Sequence, residues 1–404
     1  MTTYQEQRSK ALSLDPKFDY LPETDRYLTQ MPDTRHRINV IGTGMIGQEH
    51  IAVTHMEESA TVHGIYDPNP GSVEAAQAVH ARYEPNTPLV VHDTLEAACN
   101  DPDADALIIS TPNYTHLDVL RVAAKSGKHI LLEKPIATTL HDAVEITRIA
   151  EDYGAVFQLG LQYRYKAIAV ESIFEVLKRN AIGDVLTVSM VEHRIPFLDK
   201  VNQWNKFAKY SGDTLVEKCC HYFDLLNLFA QSRPKTVYAS GGMAVNFREF
   251  EYNGEKSDIL DNAFVVIEYE NGVRAALNLV MFAPMFYEEL MVCGDSGRLR
   301  AWEQQDYLSG MELKNNVEIY CGEDRTSRTI QPGYPSWIEK SGHGGATYTE
   351  HVKLIDNMDG KPTNTATAQE GLWCVIVALA GQESIKRGQV VNVNEYLASN
   401  GVEI

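Results

Sequence analysis

The apolar run Ile38–Ile41 leads straight into Gly42-Thr43-Gly44-Met45-Ile46-Gly47, and a helical pattern follows from Ile46 to about Glu57. Strand, tight glycine turn and helix in that order leave few folds open. Gly42 suits the turn, Gly44 lets a pyrophosphate approach the backbone, and Gly47 lets helix and strand pack closely. The first helical residues, Met45 and Ile46, bring free N–H groups and the positive end of the helix dipole to the same point. Such a turn can also serve packing alone, so the next strand matters. Val62–Tyr66 ends at Asp67, twenty residues past Gly47. A carboxylate there accepts hydrogen bonds from both ribose hydroxyls of NAD and repels a 2′-phosphate. Pro68 follows it instead of an arginine, so NAD is expected rather than NADP. The other reading of Asp67 is a turn cap shared with Asn69.

Short apolar runs then alternate with amphipathic stretches: 71–83 helical, 89–91 and 106–110 extended, 117–125 helical, 130–133 extended, 142–151 helical, 156–159 extended. This rhythm implies a parallel sheet with helices on both faces. After about residue 165 it changes. A helix over 169–179, a strand over 185–191 and a helix over 214–229 precede a series of strands, 236–239, 263–269, 273–281, 289–292, 298–302 and 317–320. Asn271-Gly272 reads as a hairpin turn, since both residues tolerate positive φ. Helices over 346–358 and 368–387, the second stopped by Gly388, close the pattern. The expected organisation is an arm over 1–35, a dinucleotide-binding domain over 36–160 and a substrate domain over 161–404, whose late helices could pack back on the first.

A chain of 404 residues suits two domains, each able to bury its own core. The net charge of −19 argues against nucleic acid and anionic membrane as partners. The six cysteines are scattered, so neither a disulfide framework nor a metal centre is expected, and adjacent Cys219 and Cys220 read as packing residues. Residues 1–35 lack the apolar core of a secretory signal, and the run 372–380 is too short to span a bilayer. A cytoplasmic protein is expected.

Three further segments belong where the carboxyl ends of the first sheet should lie, the place where doubly wound folds bind ligands. Ser110-Thr111-Pro112-Asn113-Tyr114-Thr115-His116 follows the fourth strand, Glu133-Lys134-Pro135 the fifth, and Gln162-Tyr163-Arg164 the sixth. A strand-end lysine is usually a solvated charge; here its ammonium would stand over the nicotinamide end of the crevice. Later come Glu217 and His221, four apart and so on one face of the expected helix.

This set, GTGMIG, Asp67, STPNYTH, EKP and a helical acid-x-x-x-His, resembles the Gfo/Idh/MocA oxidoreductase family from Arg37 onward. The resemblance implies an α/β fold: an N-terminal Rossmann doubly wound parallel sheet, then a C-terminal α/β domain with an open, mostly antiparallel sheet. It implies a nicotinamide cofactor, a sugar, inositol or related polyol as substrate, and a homo-oligomer. Cofactor contacts are then expected from Gly42, Gly44, Met45, Ile46, Gly47, Asp67, Ser110, Thr111, Pro112, Asn113, His116, Glu133, Lys134, Gln162 and Arg164. Many relatives have Asp where this chain has Glu217, which leaves that carboxylate open as substrate ligand or as orienter of His221.

Oxidising a secondary alcohol sends a hydride to nicotinamide and a proton to a base of near-neutral pKa. His221 suits the base, and Lys134 would stabilise the alkoxide; the reverse, Lys134 as base with a depressed pKa, is physically open. Tyr163, Arg194, Lys200, Trp204, Asn205 and His343 complete the expected substrate pocket, with the Trp204 indole suiting the C–H face of a ring. Arg164 could equally form an interdomain salt bridge. The leading expectation is an NAD-dependent dehydrogenase of an inositol, sugar or glycoside. An NAD-dependent glycosidase acting by transient oxidation and elimination, and a non-catalytic dinucleotide or sugar sensor, are the alternatives.

Overall fold

The computed structural model describes residues 34–306, 312–321 and 327–404. All but the last two residues of the expected arm lie outside them. The first sheet is built from β1 (His36–Ile41), β2 (Ala60–Tyr66), β3 (Val90–Val91), β4 (Ala106–Ile109), β5 (His129–Glu133) and β6 (Phe157–Gly160). Its order is β3-β2-β1-β4-β5-β6, all parallel. Helices α1 (Met45–Glu57), α2 (Pro70–His80), α3 (Leu95–Cys99), α4 (His116–Ala123) and α5 (Leu140–Glu151) make the crossovers. The strand order reverses between β1 and β4, which opens the ligand crevice there. Ile38, Val40, Ile41 and the whole of β4 are buried, as strands covered on both faces must be.

The chain continues through α6 (Ala167–Ile173) and β7 (Val185–His193), then three short helices: α7 (Ala208–Ser211), α8 (Asp213–Glu217) and α9 (Cys220–Ala230). The remaining strands are β8 (Pro234–Gly242), β9 (Glu251–Tyr252), β10 (Glu255–Lys256), β11 (Asn262–Tyr269), β12 (Arg274–Val280), β13 (Phe286–Gly294), β14 (Gly297–Gln305), β15 (Lys314–Cys321) and β16 (Arg328–Ile330). After them come α10 (Ser336–Glu339), α11 (Ala346–Met358), α12 (Ala368–Arg387), β17 (Val391–Asn392) and α13 (Val393–Ser399). The second sheet has nine strands in the order β16-β15-β14-β13-β7-β12-β11-β8-β17. Among the described residues only its β7–β12 pair is parallel. One face packs on α9 and α12; the other alternates outward, as in the exposed Phe264, Val266 and Glu268 of β11.

Some expectations change. The helix read over 214–229 is two helices, α8 and α9, broken at Lys218–Cys219, so Glu217 and His221 do not share one helix face. The helix over 169–179 is α6 followed by a π turn at Phe174–Lys178. The Asn271-Gly272 hairpin forms, but only Gly272 takes positive φ, +87°. The late helices match their expected bounds. Thr367 and Glu370 form a capping box on α12, and Gly388 at φ 65° ends it. α11 packs on α1, and α12 on α5 and β8, so the end of the chain returns to the first sheet.

Candidate active site

The glycine turn is held rigidly. Gly42 has φ +87°, and a Cβ there would fall 2.7 Å from the Thr111 nitrogen. A Cβ on Gly47 would fall 2.1 Å from the Gly42 carbonyl oxygen. Ser110 Oγ donates to that same oxygen at 2.7 Å, locking the turn to the end of β4. Above Gly44 a Cβ would meet nothing within 4 Å, so one side of the turn is open. The first turn of α1 lacks a side-chain cap, and the buried Thr43 Oγ1 has no partner among the described residues. Asp67 accepts from the Thr43 N–H at 2.7 Å and from the Asn69 N–H at 2.8 Å, so it does cap its own turn. Each of its oxygens keeps a second lone pair for a ribose hydroxyl. Open backbone, uncapped helix end and strand-end carboxylate fit a dinucleotide.

Lys134, at the end of β5, donates from Nζ to the Glu217 carbonyl at 3.2 Å. This brings it to the break between α8 and α9, one turn from His221. Burial pulls the Lys134 ammonium downward, but Glu217, Cys220, Glu133 and Tyr163 outweigh that and hold it above the ordinary lysine value. It therefore stays cationic. His221 is 2% exposed, and its Nδ1 has no partner among the described residues. Burial first, then the charges of Lys134, Lys218, His343 and Lys166, push its pKa well below the usual histidine value. It is a neutral imidazole with one ring nitrogen unpaired within the described residues.

Tyr163 stacks on His221 with centroids 3.9 Å apart and planes 9° apart. Lys166 Nζ lies 3.9 Å from the Tyr163 centroid, and Lys218 Nζ donates to the Tyr163 hydroxyl at 2.6 Å. Lys218 also pairs with Glu192 at 3.1 Å, and Lys166 with Glu288 and Glu303. Lys218, Lys166 and this acid network were not foreseen. Glu192, Glu288 and Glu303 occupy inward positions of β7, β13 and β14 and are cross-strand neighbours in register, each one residue beyond the strand bounds expected from the sequence.

His343 comes within 6.1 Å of Tyr163, ring to ring, and its Nδ1 meets Glu49 Oε1 at 2.7 Å. Lys200 Nζ bonds Glu217 Oε1 at 2.8 Å and lies 4.3 Å from the Trp204 ring centroid. Trp204 meets Tyr114 edge-on at 6.5 Å, and Tyr114 lies 4.9 Å from Tyr210. These three rings form an aromatic lip drawn from both halves; Tyr114 and Tyr210 are additions to the expected pocket.

Several other expected residues bond within the protein. Arg164 grips Asp224 with two bonds of 2.6 Å and Glu370 at 2.8 Å, a buried salt bridge within the expected 161–404 domain rather than between domains. His116 staples two loops, its ring nitrogens meeting the carbonyls of Pro135 at 2.9 Å and Thr111 at 3.1 Å. Asn113 donates to Glu217 Oε2, so that with Lys200 on Oε1 each oxygen of the Glu217 carboxylate already accepts one bond. Burial raises the Glu217 carboxyl, but Lys200, Lys134 and Asn113 bring it below the usual glutamate value. Glu133 is buried, accepting from its own Lys134 N–H at 3.0 Å and facing His50 at 3.0 Å. Asn205 is buried and donates to the Leu198 carbonyl. Arg194 donates to the Ile195 carbonyl and lies 3.6 Å from Glu192. Gln162 is buried, and its Oε1 has no partner among the described residues. Burial pushes the Cys219 and Cys220 thiols up, as packing residues require.

Residues 36–161 match the oxidoreductase family described by its NAD-binding Rossmann fold, and residues 175–393 match that family's C-terminal α/β domain. Inositol 2-dehydrogenase 3 of Saccharopolyspora erythraea is 25% identical over 364 residues, 88% of this chain and 95% of that protein. A 2,7-anhydro-N-acetylneuraminate hydratase of Mediterraneibacter gnavus is 25% identical over 337 residues, 79% of this chain and 87% of that protein. The solved structure of a levoglucosan dehydrogenase with NADH and levoglucosan superimposes with a TM-score of 0.71 at 20% identity, covering 89% of this chain and 99% of that one.

Proposed function

The chain belongs to the Gfo/Idh/MocA oxidoreductases and carries their NAD-binding Rossmann fold, and from that premise we propose that it oxidises a secondary hydroxyl of a cyclitol, sugar or glycoside to a ketone. The observation that carries this reading is the pairing of a cationic Lys134 with a neutral, buried His221. The Gly42–Gly47 turn, Asp67 and the Ser110–Pro112 segment would hold NAD, which when bound supplies the hydride acceptor. Lys134 donates a hydrogen bond to the substrate hydroxyl and stabilises the developing alkoxide. His221 takes the hydroxyl proton. Because Lys134 is held above its ordinary pKa, it serves as the cation and His221 as the base. Tyr163, flat against His221, fixes the imidazole plane. The Trp204–Tyr114–Tyr210 lip offers an apolar wall to the ring of the substrate.

A second reading is oxidation followed by elimination, with the cofactor recycled; the hydratase relative favours keeping it. Absorbance at 340 nm across inositols, free sugars and glycosides separates them. Accumulating NADH with a polyol or sugar supports the dehydrogenase. Glycoside cleavage without accumulating NADH supports the second reading, and no NADH with any of these substrates overturns the first. The six free cysteines suit a reducing compartment such as the cytoplasm. The outward face of the nine-stranded sheet, with Tyr238 opposite Val266 and Phe264 beside them, supports a homo-oligomer.

A further inference from the structure

Behind the Lys134 turn, where α11 packs on α1, lies a group of buried ionisable residues that the reaction does not use. His50 Nε2 meets Glu133 Oε1 at 3.0 Å, and His50 Nδ1 meets His351 Nε2 at 2.8 Å. Glu350 is fully buried beside them, and neither of its carboxylate oxygens has a partner among the described residues. One nitrogen of His50 and one oxygen each of Glu133 and Glu350 lie within 4.8 Å of one another.

A buried carboxylate with both oxygens unpaired is costly and calls for a proton or a cation. Two carboxylates and one imidazole balance the charge of a divalent ion, and a nitrogen with two oxygens is a ligand set for zinc or manganese. His50 also has the support that a ligating histidine requires, because its second ring nitrogen is already held by His351. We propose that His50, Glu133 and Glu350 bind a divalent transition-metal ion at the seam between α1 and α11. The ion ties the returning helix to the dinucleotide half. Through Glu133, whose other oxygen accepts the Lys134 N–H, it also steadies the turn that carries Lys134.

The test uses the full chain, produced in medium supplemented with Zn²⁺ and Mn²⁺ and measured by inductively coupled plasma mass spectrometry. The expected result is about one ion per chain, removed by dialysis against EDTA with a fall in melting temperature that Zn²⁺ or Mn²⁺ restores. Glu350→Gln should fold, retain no ion, and melt at a temperature that neither metal changes. Should that variant fail to fold, the wild type before and after EDTA still decides. Wild-type protein that is metal-free, with a melting temperature unmoved by Zn²⁺, Mn²⁺ or Co²⁺, would overturn the proposal. Glu350 would then hold a proton, and Glu350→Gln would melt no lower than the wild type.

Discussion

Lys134 and His221 lie far apart in the chain, yet the Lys134 charge, after burial, helps hold His221 neutral. Lys134→Ala and His221→Ala are each expected to lower turnover by about 10²–10⁴-fold while NAD affinity, followed by calorimetry, changes little. The pH profile gives a finer check. With its pKa pushed down, His221 stays a base below the ordinary histidine range, so kcat/KM should fall only in more acidic solution. Lys218→Met removes one of the cations responsible and should move that acid limb to higher pH; an unmoved limb would contradict the assignment. Asp67→Ala should weaken NAD by about tenfold or more and narrow its advantage over NADP in paired titrations. The Gly42–Gly47 turn, Asp67 and Lys134 were legible because spacing and strand ends disclose them. The partners of Glu217, Arg164 and Asn113 were not, because which carboxylate a long side chain reaches depends on the packing of distant segments.

Helix boundaries were legible where caps mark them, as Thr367, Glu370 and Gly388 do for α12. They were obscured between α8 and α9, where an unbroken apolar pattern hides the break at Lys218–Cys219. Lys218 points inward there to Glu192 and Tyr163, a pairing that periodicity alone cannot reveal. Arg164 likewise joins a 3-10 turn to α9 and α12 through Asp224 and Glu370. Removing one partner of a buried ion pair leaves an uncompensated charge. Arg164→Leu is therefore expected to cost about 3–5 kcal/mol in urea denaturation. A cofactor role would instead appear as lost NAD affinity in a variant of unchanged stability.

The two sheets were legible from the change of rhythm near residue 165, but the return of the chain to its first half is a tertiary fact. Leu354 and Ile355 of α11 share a core with Ile38, Ile51 and Leu131, and a Cβ on Gly371 of α12 would fall 2.2 Å from Leu159. At this scale the outward sheet face makes its own prediction. Phe264→Glu should shift the protein to a smaller species in sedimentation if copies join there, and leave its mass unchanged if they do not. The returning helices also bear on biosynthesis. The dinucleotide half leaves the ribosome well before α11 and α12, so its flanks stay bare during translation and close only when the last segments emerge. A transcript truncated between the sheets would yield a product that chaperones and proteases, rather than substrates, would find first.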